Sequence, residues 1–167
     1  LMKPDSVNFS DVRISVVIRT LNEERYLQEL LEGIKGQDTG GLTWEVVVVD
    51  SGSTDGTIEI AKQFGAVLVH IKKEDFSFGR SLNLGCAAAS GDIIVITSGH
   101  CVPANENWMF KLCQQLMDGH AQYVYGRQLG GPATRHSESQ IFKKYFPEQS
   151  QDSQGGAFCN NANSAIL

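Results

Sequence analysis

Short apolar runs alternate along this chain with longer stretches in which apolar residues recur every three or four positions. The runs cover residues 14–18, 44–50, 66–71 and 92–97, and they are rich in valine and isoleucine. β-branched residues in runs of this length favour strands, and strands without regular polar alternation are buried on both faces. The pattern therefore predicts four neighbouring strands in the interior of a parallel sheet.

The stretches between the runs predict helices. In the clearest, residues 22–36, four apolar side chains recur with helical spacing, and these are Leu27, Leu30, Leu31 and Ile34. Asn22 is placed to cap the first turn of this helix. Further helices are predicted over residues 53–65, 80–91, 105–119 and 137–146, and further extended segments over residues 122–131 and 156–167. Such alternation is typical of an α/β fold, with helices on both faces of a mostly parallel sheet.

Polar segments follow the predicted strands. Residues 19–23, 50–55 and 97–101 do so, together with the stretch around Arg80. Open parallel sheets bind ligands beside the carboxyl ends of their strands. Asp50 ends the second strand, so we expect its carboxylate to face a crevice and contact a ligand, whereas Asp55 is suited to cap the next helix. Neither GxGxxG after the first strand nor GxxxxGK[ST] occurs, so dinucleotide and P-loop sites are not indicated.

Composition narrows the class of protein. The 167 residues carry a net charge of -5, which argues against a general nucleic-acid-binding protein. The four cysteines form no CxxC pair, which favours unpaired thiols in a reducing compartment. No apolar run approaches the roughly 20 residues of a membrane span, and residues 1–12 are predicted to be a flexible lead-in without a signal peptide. We therefore expect one cytoplasmic domain over residues 1–167, with the inner face of a membrane as an alternative location.

Four blocks of the sequence together resemble family 2 glycosyltransferases of the GT-A fold, and most of all the branch labelled rhamnosyltransferase-like. The blocks are ISVVIRTLNEERYLQELLEGI, EVVVVDSGSTDGT, GRSLNLGCAAASGDIIVITSGHCVP and NNANSAI, and they keep the family's order over residues 13–167. The resemblance implies a Rossmann-like sheet, a nucleotide-diphosphate-sugar donor and transfer of the sugar with inversion. It also implies a divalent metal, Mg²⁺ or Mn²⁺, and a glycan, lipid-linked or other hydroxyl acceptor.

The resemblance also implies which residues bind the nucleotide sugar. The base-binding positions fall on Arg19, Thr20, Asp50 and Ser51, and the wider donor site includes Asn22, Glu23, Ser53, Asn83 and Ser98. Many members have a second aspartate where Ser51 stands, and an arginine where Leu82 precedes Asn83. Arg80 is the nearest cation that could serve the diphosphate.

The metal motif departs furthest from the family pattern. The usual Asp-X-Asp after the fourth strand is Ser98-Gly99-His100 here. His100 is accordingly a metal ligand, or a hydrogen-bond donor or cation that meets the diphosphate in place of a metal, or the sign of an inactive relative. The alternative to a transferase is therefore a catalytically silent domain that binds nucleotide or glycan.

The resemblance leaves the general base unidentified in this chain. In the family this carboxylate follows the segment that resembles NNANSAI, so we expect it after Leu167, in a protein of which this chain is the donor-binding part. Glu148 and Asp152 are carboxylates within the chain, but neither matches the family's motif.

Overall fold

The computed structural model describes residues 12–131, 136–146, 148–150 and 160–167, and of residues 136–139 it describes the backbone alone. In this part of the chain, six strands form one sheet: β1 (Arg13–Thr20), β2 (Thr43–Asp50), β3 (Val67–His70), β4 (Ile93–Ser98), β5 (Tyr123–Tyr125) and β6 (Asn163–Ile166). Their order across the sheet is β3-β2-β1-β4-β6-β5. The four predicted interior strands are therefore adjacent, with β1 at their centre.

The sheet is mostly parallel, as the sequence predicts. β1 pairs in parallel with β2 and β4, and β2 pairs in parallel with β3. β6 is antiparallel to both of its neighbours, β4 and β5. The segments predicted as extended over residues 122–131 and 156–167 contribute only these two short strands, and residues 156–159 lie outside the described part of the chain.

Five α-helices are described, α1 (Glu24–Lys35), α2 (Thr57–Gln63), α3 (Phe78–Ala88), α4 (Trp108–Met117) and α5 (His136–Tyr145), together with a short 3-10 helix over Lys73–Asp75. The predicted apolar face of α1 is confirmed, because Leu27, Leu30, Leu31 and Ile34 are all fully buried. They join a core with Ala61 of α2, Met109 of α4 and one face of the sheet. A smaller core on the opposite face packs Ala88 of α3 against Val17, Val47 and Val49. Helices thus cover both faces, as predicted.

Helix α3 lies unusually close to the sheet. A Cβ added at Gly85 would lie 2.5 Å from Val17 Cγ1 and 2.8 Å from Val49 Cγ2, so only glycine allows this approach. The helix begins earlier than predicted, because Ser77 caps it by accepting a hydrogen bond from the Arg80 amide at 3.1 Å. Phe78 is the first residue of the helix, and its ring lies beside Arg19 near the carboxyl end of β1.

The described cysteines are unpaired, as predicted. Cys86, Cys101 and Cys113 are free thiols, and Cys159 lies outside the described residues. Burial raises the pKa of all three thiols, that of Cys113 to about 12. Among the described residues, no helix combines the length and the apolar composition needed to cross a membrane.

Candidate functional site

The carboxyl ends of β1, β2 and β4 bring most of the predicted site residues together. Thr20 and Asp50 are register partners, and so are Arg19 and Ser98. The loops that follow these strands carry the other predicted residues of this edge: Asn22, Glu23, Ser51, Ser53 and His100. The candidate site is therefore a row of polar side chains along one edge of the sheet.

Two predicted residues stand apart from this row. Arg80 and Asn83 lie on α3, and both are exposed. The Arg80 side chain is 57% exposed and pairs with Asp75 at 3.5 Å. A solvated pair of this kind contributes little energy and leaves the arginine at the surface. The side chain of Arg80 is therefore held at the surface by Asp75, and it makes no ion pair or hydrogen bond with the described residues of the strand ends.

Asp50 organises the loop after β2. It is 1% exposed, and its Oδ2 accepts hydrogen bonds from the amides of Gly52 and Ser53, both at 2.9 Å. Its Oδ1 accepts from the hydroxyls of Thr20, at 3.2 Å, and Ser53. Gly52 has a φ of +93°, which lets the chain curl around the carboxylate. The carboxylate is therefore buried against its own loop and Thr20 of β1 and does not face an open crevice as expected, while its contact with a ligand stays a prediction.

The loops after β1 and β2 are fastened to each other. The backbone N–H of Asn22 donates to Ser53 Oγ at 2.9 Å, and the side-chain Oδ1 of Asn22 accepts from the backbone N–H of Thr54 at 2.9 Å. Asn22 is therefore not the predicted cap of α1, since its φ of 55° turns its side chain toward the second loop. The role of Asp55 as a cap is confirmed, because Asp55 accepts from the amide of Thr57, the first residue of α2, at 3.1 Å.

Asp55 also serves the neighbouring helix. Its Oδ2 accepts from the amide of Glu24, the first residue of α1, at 3.1 Å. The hydroxyl of Thr57 donates to Oδ1, and this bond is the largest of the influences that hold the pKa of Asp55 below its ordinary value. One carboxylate thus joins the beginnings of two helices, and the two loops form a pre-shaped edge.

Glu23 and His100 form a pair beside β4. His100 Nδ1 lies 2.8 Å from Glu23 Oε1, and the side chains are 57% and 17% exposed respectively. Gly99 permits this approach, since an added Cβ would lie 2.7 Å from Glu23 Cγ. An ionised carboxylate can accept hydrogen bonds but cannot donate them, so Nδ1 of His100 carries the proton that lies between the two side chains. Nε2 of His100 is then the ring nitrogen available to another partner. A neutral His100 would offer a lone pair there, and a charged one a second donor.

Arg19 lies at the centre of the edge with weak protein contacts. Its Nη2 is 3.4 Å from Ser98 Oγ and 3.5 Å from the Asn161 carbonyl oxygen, and the Phe78 ring centroid is 5.0 Å from Cζ. Its Nε is buried and has no hydrogen-bond partner. Burial lowers the pKa of this guanidinium. No local pattern in the sequence indicates Phe78 or Asn161 as neighbours of Arg19, because each comes from a distant part of the chain.

Carboxylates suited to bind a metal by themselves are scarce at this edge. Among the described residues, no group of three or more histidine, cysteine, aspartate or glutamate side chains is arranged to hold an ion. Of the two carboxylates considered as a base, Glu148 pairs with Arg127 at 3.3 Å in an exposed position, and Asp152 lies outside the described residues. His100 is thus the predicted metal ligand that the geometry leaves available, through Nε2.

Comparison with known proteins gives a consistent result. The family model described as glycosyl transferase family 2 matches residues 15–166. Glycosyltransferase AglE of Haloferax volcanii is 30% identical over 137 residues, which are 75% of this chain and 44% of that protein. Glucosyl-3-phosphoglycerate synthase of Petrotoga mobilis is 28% identical over 162 residues, 84% of this chain and 50% of that protein. The chain thus spans about half the length of these curated relatives.

A solved structure shows the same fold. The glucosyl-3-phosphoglycerate synthase of Mycobacterium tuberculosis, in complex with Mn²⁺, uridine diphosphate and glucosyl-3-phosphoglycerate, is 31% identical and superimposes with a TM-score of 0.60. The match covers 73% of this chain and 46% of that one. The resemblance to the rhamnosyltransferase-like branch has no counterpart among these matches and stays a prediction.

Proposed function

Because this chain belongs to glycosyl transferase family 2, we propose that the full-length protein transfers a sugar from a nucleotide-diphosphate-sugar donor to an acceptor hydroxyl, with inversion. The observation that carries this proposal is the pre-shaped edge of the sheet. Two adjacent strands, β1 and β4, end at this edge. The Arg19 guanidinium lies near the end of β1, and the Glu23–His100 pair, in which Nε2 of His100 is available, lies in the loops that follow the two strands. A guanidinium attracts the negative charge of a diphosphate, and the imidazole can offer Nε2 to it as a hydrogen-bond donor or to a metal ion as a ligand.

The donor would lie across the carboxyl ends of β1, β2 and β4. Its nucleoside would contact the segments of residues 20–23 and 50–55, which are joined by hydrogen bonds from Asn22 to Ser53 and Thr54. Asp50 would act here by holding its loop in shape, since both of its oxygens are already bonded. A loop that needs no reordering lowers the entropic cost of binding. Ser51 and Thr20 would contribute through the same rigid edge.

One residue at the position of the family's metal motif, His100, could serve as a ligand to a divalent metal. His100 would hold Mg²⁺ or Mn²⁺ through Nε2, with Glu23 fixing the orientation of the imidazole ring. A bound ion of this type supplies positive charge that neutralises a leaving diphosphate. Phosphate oxygens and water would complete the coordination, and the oxygens are the ligands that these two ions prefer.

The reaction that follows is a single displacement. The acceptor oxygen bonds to the anomeric carbon as the bond from that carbon to the diphosphate breaks, and the electron pair departs with the diphosphate. The proton of the acceptor hydroxyl passes to a carboxylate base. We place that base after Leu167 and the reaction in the cytoplasm, with a glycan, lipid-linked or other hydroxyl compound as acceptor. Attachment to the inner face of a membrane through parts outside this chain would suit a lipid-linked acceptor.

One observation favours a second function. Ser98 and His100 replace both carboxylates of the usual metal motif, so the protein could be a silent domain that binds nucleotide or glycan without transfer. A silent domain that binds nucleotide would share the donor-binding step with the transferase and would differ from it in turnover.

The test is a titration of the full-length protein with UDP, dTDP and GDP, each with Mn²⁺ and with EDTA. The corresponding nucleotide sugars are then incubated with the protein and candidate acceptors, and release of the diphosphate is measured. We expect one diphosphate to bind and its sugar to be transferred. Binding without turnover for any sugar would favour the silent domain, and binding of none of the three diphosphates would contradict both the transferase and a silent domain that binds nucleotide.

A further inference from the structure

The Arg19 guanidinium has no counter-charge in the described part of the chain. None of the described carboxylates lies within ion-pair distance of it, whereas Arg13, Arg80 and Arg127 each pair with one. Its Nε is buried without a hydrogen-bond partner, and the two contacts of Nη2 are long, at 3.4 and 3.5 Å. A partly buried charge without compensation costs stability, and structural arginines normally have their N–H groups bonded.

The position of the guanidinium indicates what its missing partner is. Arg19 reaches toward Ser98 at the end of β4 and toward Asn161 just before β6, which is the side of the sheet away from Asp50 and β2. Ser98 opens the segment that corresponds to the family's metal motif, and His100 ends it. The guanidinium therefore lies on the side where a diphosphate would be neutralised, and not beside the loop where the nucleoside base would lie.

The surroundings suit an anion. The Phe78 ring covers one side of the guanidinium with its centroid 5.0 Å from Cζ, and this contact shields the charge from water while leaving the N–H groups in the plane available. A guanidinium presents its donors in a flat fork that matches phosphate oxygens. An anion with several oxygens would satisfy the N–H groups that the protein leaves weakly bonded.

We propose that Arg19 binds the diphosphate of the donor and does not read the nucleoside base, which is the role that the family resemblance alone would give it. This inference rests on the proposed function. It makes Arg19 a catalytic residue, because the negative charge on the diphosphate grows as the bond to the anomeric carbon breaks. It also explains how the site neutralises a diphosphate although Arg80 is turned to solvent and both carboxylates of the metal motif are replaced.

The experiment compares Arg19→Gln and Arg19→Lys with the parent full-length protein in EDTA, by calorimetric titration. The ligands are inorganic pyrophosphate, whichever of UDP, dTDP and GDP binds the parent, and the nucleoside of that diphosphate. Arg13→Gln is the matched control, since Arg13 is an exposed arginine at the other end of the same strand. We expect Arg19→Gln to weaken pyrophosphate and diphosphate binding by about 10-fold or more and to leave nucleoside binding unchanged. Arg19→Lys should recover part of the loss, and Arg13→Gln should show none.

Thermal unfolding without ligand supplies a second measurement. Arg19→Gln removes a half-buried charge that has no ion-pair partner among the described residues, so we expect its midpoint to equal or exceed that of the parent. A lower midpoint together with unchanged affinities would mean that Arg19 has a structural role and would overturn the proposal.

The remaining outcomes separate this inference from the proposed function. Equal losses for nucleoside and diphosphate in Arg19→Gln would mean that Arg19 reads the base, which overturns the inference and leaves the function standing. Pyrophosphate binding that depends on Arg19, in a parent that binds no nucleotide, would support the anion site and contradict the function. A parent that binds neither pyrophosphate nor any nucleotide would overturn both.

Discussion

At the scale of single residues, the Asp50 carboxylate stabilises the site by accepting four hydrogen bonds, from Thr20, Gly52 and twice from Ser53. Asp50→Ala would remove the acceptor that the partly buried amides of Gly52 and Ser53 share, so we expect a loss of about 1–3 kcal/mol in the free energy of unfolding. Urea denaturation measures this loss. Asp75→Ala is the control, since Asp75 is exposed and makes only a surface ion pair with Arg80, and we expect a change within about 0.5 kcal/mol. Equal stability of parent and Asp50→Ala would contradict the role.

His100 is the residue through which we propose that a metal ion strengthens binding of the nucleoside diphosphate. If its Nε2 holds the ion, Mn²⁺ should strengthen binding of the nucleoside diphosphate, and His100→Ala should abolish that gain. His100→Asp, which restores the family's usual carboxylate, should keep the gain. We expect this ordering, with titrations in Mn²⁺ and in EDTA as the measurement and the exposed His120→Ala as the control.

The opposite ordering would identify His100 as a cation. In that case binding would need no Mn²⁺, and His100→Asp would bind more weakly than His100→Ala, because it sets a negative charge against the diphosphate. Equal affinity in the parent and both variants under both conditions would show that His100 takes no part in binding.

At the scale of elements, the seating of α3 on the sheet depends on one glycine. We expect Gly85→Ala to destabilise the protein by about 1–3 kcal/mol, since its Cβ would lie 2.5 Å from Val17 Cγ1, although alanine favours helix by about 1 kcal/mol. Gly79→Ala in the same helix has no atom within 4 Å of its Cβ and should be neutral or slightly stabilising. Urea denaturation of both variants checks the contrast, and a Gly85→Ala protein as stable as Gly79→Ala would contradict the close approach.

The elements were predictable to the extent that their causes are local. The valine-rich run that ends at Asp50 and the helical spacing of Leu27 and Leu30 depend on neighbours in sequence, and both elements are confirmed. The beginning of α1 was predicted wrongly, because Asn22 bonds to Thr54 of the next loop instead of to its own helix. The prediction for α2 was too long at its start for a related reason, since Asp55 is used as a joint between two helices.

The site was predictable as a set of strand ends but not as a set of contacts. Strand–helix alternation places polar segments at one edge of a parallel sheet, so Arg19, Asp50 and Ser98 could be expected together. The partners of each side chain come from pairings across the fold. Neither the Phe78 ring beside Arg19 nor the antiparallel direction of β6 has a signal in the local pattern.

At the scale of the whole molecule, the described residues supply the edge that we propose binds the donor, while the chain spans only about half the length of its curated relatives. The carboxylates at this edge are already occupied: Asp50 by its loop, Asp55 by two helix beginnings and Glu23 by His100. A general base needs a carboxylate that is available to the acceptor hydroxyl. The transfer step therefore calls for a group beyond those that this edge provides.

We accordingly expect residues 1–167 to bind the nucleoside diphosphate and to transfer no sugar, whereas the full-length protein does both. A thermal-shift titration with the diphosphate and a transfer assay with the matching nucleotide sugar, run on both proteins, provide the measurement. Glu148→Gln in the full-length protein is the control, because Glu148 is exposed and paired with Arg127, and we expect it to leave the rate of transfer unchanged. Sugar transfer by residues 1–167 at the rate of the full-length protein would place the base within this chain, and loss of transfer in Glu148→Gln would identify it as that residue.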